Sequence, residues 1–170
     1  ALQGALSNLA GGIMLMIFKP FRLGDYVSAA GVEGVVKEVT LFYTVLLTVD
    51  NKRITVPNGS LMNANVTDFS SEEFRRVDLS FSCAKSEVPS KIQDIMMAVM
   101  TAQPQVLSEP APFARISGGT NDAMEFTARA WCRSEDYWDV YFDLTQKITE
   151  AFAANDVQAP AVRISSENLH

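Results

Sequence analysis

The chain has 170 residues, of which 48% are hydrophobic and 20% charged, and this composition is typical of a folded protein. Its formal net charge of −6 lies in residues 71–170, because residues 1–70 carry equal numbers of basic and acidic side chains. This acidic balance gives no electrostatic support to nucleic-acid binding. Two cysteines and one histidine, His170, are too few for a disulfide framework or a zinc site.

The composition also argues against catalysis. His170 is the last residue, so no histidine base is placed beside a serine or cysteine nucleophile. Cys83 and Cys132 lie in apolar strand-like runs and are interpreted as reduced, buried thiols. We therefore predict no enzyme, no catalytic residue, no metal and no other cofactor. A group of aromatic side chains is interpreted as core or interface packing and not as a surface on which nucleic-acid bases stack, because such a surface requires basic neighbours. The group comprises Trp131, Tyr137, Trp138, Tyr141 and Phe142.

Residues 1–18 predict a helix that Pro20 ends. One side of this helix is small and partly polar, and the other is broad and apolar. Its glycines are unfavourable in an isolated helix, so we expect them to allow close approach to another backbone. At roughly 27 Å the segment would just reach across a bilayer, and these residues alone do not decide between a membrane-associated helix and a core helix. The small side comprises Gln3, Gly4, Ser7, Asn8, Gly11 and Gly12.

Over residues 25–69 apolar residues tend to recur at every second position instead of at helical spacing. This pattern predicts four or five short strands. Asp50-Asn51 indicates a hairpin, since Asn adopts a left-handed conformation readily. Pro57-Asn58-Gly59 indicates a second turn. So many short strands in so few residues favour a small, strongly bent barrel or sandwich.

From Phe74 the pattern reads strand, helix, strand, strand, helix, strand. The first helix is expected from Pro89 to about Gln103, with Ile92, Met96 and Val99 facing inward. The second is expected from about Tyr137 to Ala154, and a last strand is expected over the letters AVRIS. This βαββαβ order is the ferredoxin-like arrangement. The predicted class is therefore α+β, with an N-terminal amphipathic helix, a small all-β unit and a ferredoxin-like unit.

Several segments of the sequence resemble a known protein family. The segments LQGALSNLAGGI, FKPFRLGDYV, GVEGVVKEVTLFYTVLLTVDNKRITVPNGSLMNANVTDFS and YWDVYFDLTQKITEAF closely resemble the small-conductance mechanosensitive channel (MscS) family. The resemblance implies three parts: the C-terminal part of a pore helix over 1–20, a β-barrel (Sm-like) domain over 21–70 and a ferredoxin-like cytoplasmic domain over 71–170. It also implies that the chain is a fragment, preceded by transmembrane helices and the pore gate.

The function that the resemblance implies is a tension-gated channel of the bacterial inner membrane. It would release ions and small osmolytes with weak selectivity during hypo-osmotic shock. Its partners would be identical subunits, in a homoheptamer, and the lipid bilayer, contacted through the N-terminal helix. The acidic residues 71–170 would then belong to a solute filter. A soluble oligomeric scaffold or binding module without channel activity is the alternative.

The same resemblance assigns roles to particular residues. Gly4 would be the hinge of the pore helix. Asn8 would contact Asn58 and Gly59 in the β domain of a neighbouring subunit and so couple helix to β domain. Lys19 and Arg22 follow the apolar helix and mark a cytoplasmic membrane interface.

Overall fold

The computed structural model describes residues 1–161, and the chain divides into two compact units, one over Ala1–Glu73 and one from Phe74 onward. The first unit contains two helices and five strands. In chain order they are α1 (Leu2–Phe18), β1 (Tyr26–Ala29), β2 (Val32–Val39), β3 (Tyr43–Leu47), β4 (Arg53–Pro57), α2 (Asn58–Met62) and β5 (Val66–Asp68).

The helix predicted over 1–18 is confirmed as α1. It ends at Phe18 because Lys19 adopts a left-handed backbone conformation with φ 46°, from which its N–H donates to the Leu15 carbonyl at 3.0 Å. Pro20 follows and lacks the N–H that another turn would need. Among residues 1–161, no helix combines the length and the apolar character that a bilayer crossing requires.

The strands of the first unit form an antiparallel sheet with the order β4-β3-β2-β1-β5. The predicted hairpin between β3 and β4 is confirmed, with Asn51 at φ 67°. A bulge at Lys37 bends β2. Buried apolar side chains from α1, the loop after it, the sheet and α2 share one core, namely Leu15, Phe21, Val27, Ala29, Val36, Leu46, Val56 and Leu61.

The prediction of a turn at Pro57-Asn58-Gly59 is wrong, because these residues do not form a tight turn between two strands. Pro57 ends β4, and Asn58 and Gly59 begin the helical turn α2. Buried Leu61 anchors this turn in the core, and its burial favours a helical conformation where local turn residues favour a tight reversal. The direction of the chain still changes here.

The second unit begins with the long strand β6 (Phe74–Ala84), and its described elements follow the predicted order. They are β6, α3 (Pro89–Ala102), β7 (Phe113–Gly119), β8 (Ala123–Arg133), a short 3₁₀ turn (Ser134–Asp136) and α4 (Tyr137–Ala154). The strands form an antiparallel sheet with β8 between β6 and β7. The last predicted strand, AVRIS, lies outside the described residues. After α4 the chain returns to β6, where the Ala84 N–H donates to the Gln158 carbonyl at 2.8 Å.

Helical spacing predicted the core of this unit well. Of the residues placed inward on α3, Ile92 and Met96 are buried as expected, whereas Val99 is half-buried and Met100 is fully buried instead. On α4, the residues at helical spacing Val140, Leu144 and Ile148 are buried, and Phe152 is half-buried. Cys83 and Cys132 are free and buried, as predicted. Burial raises the pKa of both thiols, so they remain protonated small apolar groups. The predicted α+β class is confirmed.

Truncating a core side chain of α4 tests this packing. Ile148 is fully buried, so Ile148→Ala is expected to lower the free energy of unfolding by about 2–5 kcal/mol. Exposed Thr149, one position along, supplies the control, and Thr149→Ala is expected to change it by less than about 0.5 kcal/mol. Urea unfolding followed by tryptophan fluorescence reports on this unit, which holds Trp131 and Trp138. Equal effects of the two substitutions would contradict the packing described.

Candidate functional site

The small side of α1 lies against α2 and the β2–β3 turn at backbone distance. A Cβ added to Gly11 would lie 2.8 Å from the carbonyl carbon and oxygen of Asn58. A Cβ added to Gly12 would overlap the carbonyl oxygen of Leu41. Both glycines are buried. The expectation that these glycines allow close approach to another backbone is therefore confirmed.

Asn8 bonds directly to the start of α2. Its Oδ1 accepts the backbone N–H of Gly59 at 3.0 Å. The first N–H groups of a helix have no partner within the helix, and α2 has no side-chain cap of its own. The carboxamide of Asn8 thus supplies an acceptor from another element. A Cβ on Gly59 would lie 2.9 Å from the side-chain oxygens of Asn8 and Ser7, so a larger residue here would displace these two side chains.

Asn58 is the buried polar centre of the site. Its Oδ1 accepts the hydroxyl of Thr44 at 2.9 Å, its Nδ2 donates to the Thr40 carbonyl at 2.8 Å, and its backbone N–H donates to the Phe42 carbonyl at 3.0 Å. Asn58 and Thr44 are both inaccessible to solvent. A buried carboxamide is stable only when it is hydrogen-bonded in this way. These bonds fix α2 to β3 and to the turn before it.

The structure therefore brings Asn8, Asn58 and Gly59 together within one chain. The resemblance instead placed this contact between neighbouring subunits. The intrachain contact has a physical reason, because Gly11 and Gly12 let α1 lie directly on the α2 of its own chain. The role of the three residues in coupling stays a prediction.

Gly4 lies in the first turn of α1, upstream of this contact. A Cβ at Gly4 would meet no atom within 4 Å, and the helix runs through it from Leu2 to Phe18. No packing constraint requires a glycine here, in contrast to Gly12. The hinge role assigned to Gly4 stays a prediction that rests on the resemblance.

Lys19 and Arg22 lie beyond the end of α1, on the rim of an apolar cavity of about 620 Å³. The carboxylate of Asp25 accepts the backbone N–H of Arg22 at 2.7 Å and so closes the loop before β1. Both cationic side chains are exposed. The remaining lining is apolar: Leu15, Met16, Phe21, Leu23 and Val39.

Asp68, on β5, is electrostatically linked to this loop. Partial burial and the neighbouring carboxyl of Asp25 raise the pKa of Asp68, while the backbone N–H of Ser70, which donates to it at 2.8 Å, opposes the rise. The folded state therefore binds the Asp68 proton more tightly than the unfolded chain does.

Sequence reasoning missed Thr44 and Leu41. Thr44 occupies a strand position where threonine is common for its β propensity, so nothing in the sequence marks its hydroxyl as a partner of Asn58. Leu41 contributes a backbone carbonyl, which carries no side-chain signal. The small side of α1 and the family resemblance pointed to the contact of α1 with Asn58 and Gly59, but neither pointed to these two residues.

Comparison with known proteins identifies the class to which this arrangement belongs. The sequence pattern described as "Mechanosensitive ion channel, beta-domain" matches residues 4–71, and the one described as "Mechanosensitive ion channel MscS, C-terminal" matches residues 77–159. Both units thus match domains of mechanosensitive ion channels. The chain belongs to the MscS family, and the resemblance noted in its sequence is confirmed.

Individual relatives agree with this assignment. The small-conductance mechanosensitive channel of Edwardsiella ictaluri is 38% identical over 160 residues, which are 94% of this chain and 56% of that protein. The crystal structure of Helicobacter pylori MscS in the closed state superposes with a TM-score of 0.90 at 27% identity, over 99% of this chain and 68% of that one. Arabidopsis thaliana MSL1, with a TM-score of 0.78 at 20% identity over 93% of this chain and 59% of that one, shares the fold. The chain spans about half the length of the curated relatives it matches.

Alanine substitutions at two glycines of α1 separate packing from helix propensity. Gly12→Ala is expected to destabilise the first unit by about 1–3 kcal/mol, because the new methyl group overlaps the Leu41 carbonyl. Gly4→Ala is expected to stabilise α1 by up to about 1 kcal/mol, since its methyl group meets open space. Hydrogen exchange of the α1 and α2 amides measures both effects. Similar exchange rates in the two variants would refute the close contact.

The raised pKa of Asp68 gives a pH dependence of stability. The stabilisation associated with its proton is fully present below the unfolded-state pKa of about 3.9 and is lost as the pH rises through the higher folded-state pKa. Asp68→Asn is therefore expected to raise the melting temperature at pH 7.5, and the gain should shrink as the pH approaches 4. Asp94→Asn, at an exposed position on α3, is the control. A gain that grows toward acidic pH would reverse the assigned sign.

Proposed function

We propose that the chain is the cytoplasmic part of a tension-gated channel that releases ions and small osmolytes, with weak selectivity, during hypo-osmotic shock. In this proposal residues 1–20 are the end of the pore helix, residues 21–70 the β domain and residues 71–170 the ferredoxin-like cytoplasmic domain. Family membership supports the proposal, and so does the near-complete superposition on the Helicobacter pylori channel.

The main observation in support of the proposal is the hydrogen bond of Asn8 to Gly59, which forms where the backbones of α1 and α2 lie in close contact. A pore helix can transmit force only if its end is attached to a body that resists displacement. Here α1 is held to α2 by glycine packing and by an intersegment hydrogen bond, and Asn58 fixes α2 to β3. Movement of the helix therefore requires either movement of the β domain or rupture of this contact.

The hydrogen-bond part of this contact has a small free energy. A hydrogen bond contributes a net ~0.5–1.5 kcal/mol, so loss of the Asn8 bond shifts a docked–undocked equilibrium by roughly a factor of 2–13. Such a contact suits a helix that docks and undocks as the channel closes or adapts. We infer that Asn8, Asn58 and Gly59 set that equilibrium and that Gly4 is the hinge about which the upstream helix turns.

The membrane and the partner subunits complete the proposal. Exposed apolar side chains on α1, including Leu2, Leu6 and Ile17, suit contact with lipid or with a neighbouring subunit. Lys19 and Arg22 would then lie at the cytoplasmic interface of the inner membrane, where basic residues are favoured. Identical subunits would assemble around the pore, as a heptamer.

A chimaera tests the channel against the scaffold alternative. The part of the Edwardsiella ictaluri channel that the match does not cover is joined to this chain, and the product is reconstituted in liposomes for patch-clamp recording. A conductance that opens with tension supports the channel. Repeated silence up to lytic tension, with the Edwardsiella parent conducting in parallel, would leave the non-channel scaffold.

In the conducting chimaera, Asn8→Ala is expected to change the rate at which current declines under sustained tension, because α2 loses an acceptor at its first turn. Gln3→Ala is the matched control: Gln3 lies on the same side of α1 and is exposed. The threshold tension for first opening should change less than the decline rate. If Gln3→Ala altered the decline as strongly as Asn8→Ala, the Asn8–Gly59 bond would have no specific role.

A further inference from the structure

The second sheet has one face that the helices do not use. Side chains at alternate positions of β6 and β8 point into the core beneath α3 and α4. The intervening side chains point to the opposite face. Five of these define what we call the arginine face: Arg76 and Asp78 on β6, Arg115 on β7, and Arg129 and Trp131 on β8. The four charged side chains are exposed, and Trp131 is half-buried.

The strand register places these side chains beside one another. Arg76 is opposite Trp131, and Asp78 is opposite Arg129. On the other side of β8, Arg129 is opposite Phe113, and its guanidinium lies 5.4 Å from the centre of that ring. Arg115 is opposite Thr127, two positions along β8 from Arg129, so Arg115 and Arg129 are diagonal neighbours, with Cβ atoms somewhat less than about 7–8 Å apart.

The charge of this face opposes the charge of the domain around it. Residues 71–170 account for the whole net charge of −6. The outward positions of the three strands nevertheless carry four arginines and two carboxylates, a local balance of 4 − 2 = +2. The arginines are 76, 115, 129 and 133, and the carboxylates are Asp78 and Glu125. The acidic half of the chain is therefore not a uniformly acidic surface.

Arg76 and Arg115 differ in how far their neighbours neutralise them. Arg76 forms a two-point bond with Asp78, at 2.7 and 2.9 Å. Within residues 1–161, Arg115 makes no hydrogen bond or ion pair. Arg115 and Arg129 are diagonal neighbours of like charge, close enough for their long side chains to interact, and like charges repel at this range. A bound anion between them would offset that repulsion.

We propose that the arginine face binds an oligophosphate anion, and in particular a nucleoside triphosphate. Arginine presents a planar fork of donors that matches phosphate oxygens, and Arg115 and Arg129 would hold adjacent phosphate groups. Trp131 offers an aromatic plane next to Arg76 on which a base stacks. The hydroxyls of Ser80 and Thr127 lie in the same cross-strand row as Arg115 and are available as further donors.

This combination was not visible in the sequence. There, Trp131 stands close to the aromatic residues of α4, and the five were grouped as packing residues. In the structure Tyr137, Trp138, Tyr141 and Phe142 form their own cluster of ring contacts on α4. Trp131 points instead to the arginine face, where its neighbours are basic.

The two tryptophans make the binding measurable. Trp138→Phe removes the α4 tryptophan and leaves Trp131 as the single one in the chain. We expect ATP to change the fluorescence of Trp131 saturably. Calorimetry with ATP and with inorganic tripolyphosphate then separates the contribution of the base from that of the phosphates. Binding of both ligands supports the oligophosphate site, and weaker binding of tripolyphosphate assigns the difference to stacking on Trp131.

Substitutions locate the site. Arg115→Gln and Arg129→Gln are each expected to weaken ATP binding about tenfold, and Arg115→Lys less, because lysine keeps the charge without the fork. Lys37→Gln removes one exposed positive charge from the first unit and serves as the control for net charge. Rising salt should weaken binding of the unsubstituted chain.

Two outcomes would overturn the proposal. One is the absence of saturable binding of either ligand to the folded chain. The other is an equal loss of affinity in Lys37→Gln and Arg115→Gln, which would indicate a general charge effect. The binding measurement needs no membrane, so it fails or succeeds independently of the channel activity proposed above.

Discussion

The first unit depends on the approach of two backbones, that of α1 and that of α2. Gly11 and Gly12 allow the approach, and the bond between the two helices follows from it: Asn8 reaches the Gly59 N–H only because α1 lies this close to α2. Larger side chains at the glycines would move α1 away and leave the first turn of α2 without its acceptor. The small residues of α1, unfavourable for helix propensity, are thus compensated by a contact that no other residue type permits.

Asn58 explains why α2 is a suitable surface for that contact. A five-residue helix has little intrinsic stability, because helix nucleation is costly. Its first residue is instead fixed by bonds to Thr44 and to the carbonyls of Thr40 and Phe42. Because three of its polar groups are bonded in a buried setting, displacement of α2 would break several hydrogen bonds at once. The short helix therefore behaves as part of the sheet rather than as a loop.

The sequence predicted most of the fold and part of the site, and the difference has a physical origin. Ile92 and Met96, like Val140 and Leu144, follow helical spacing because each buries a stripe against the same sheet, and periodic burial is readable without coordinates. Pro57-Asn58-Gly59 was misread, because its conformation depends on Leu61 and on distant partners rather than on local turn preferences. The contact of Leu41 with Gly12 could not be predicted, since Leu41 contributes only a backbone carbonyl.

The charge distribution of the second unit also could not be predicted from the sequence. The net charge of −6 over residues 71–170 describes the whole domain, but a strand sends alternate side chains to opposite faces. Pairing β6, β8 and β7 in register therefore gathers arginines from three separated segments onto one face. Two of the three segments, β6 and β8, contain both basic and acidic residues when they are read along the sequence. The net charge of the domain therefore does not reveal the excess of arginines on one face of the sheet. An ion or solute near this domain responds to the closest face over roughly 8–10 Å, and Arg115 and Arg129 therefore outweigh more distant carboxylates there.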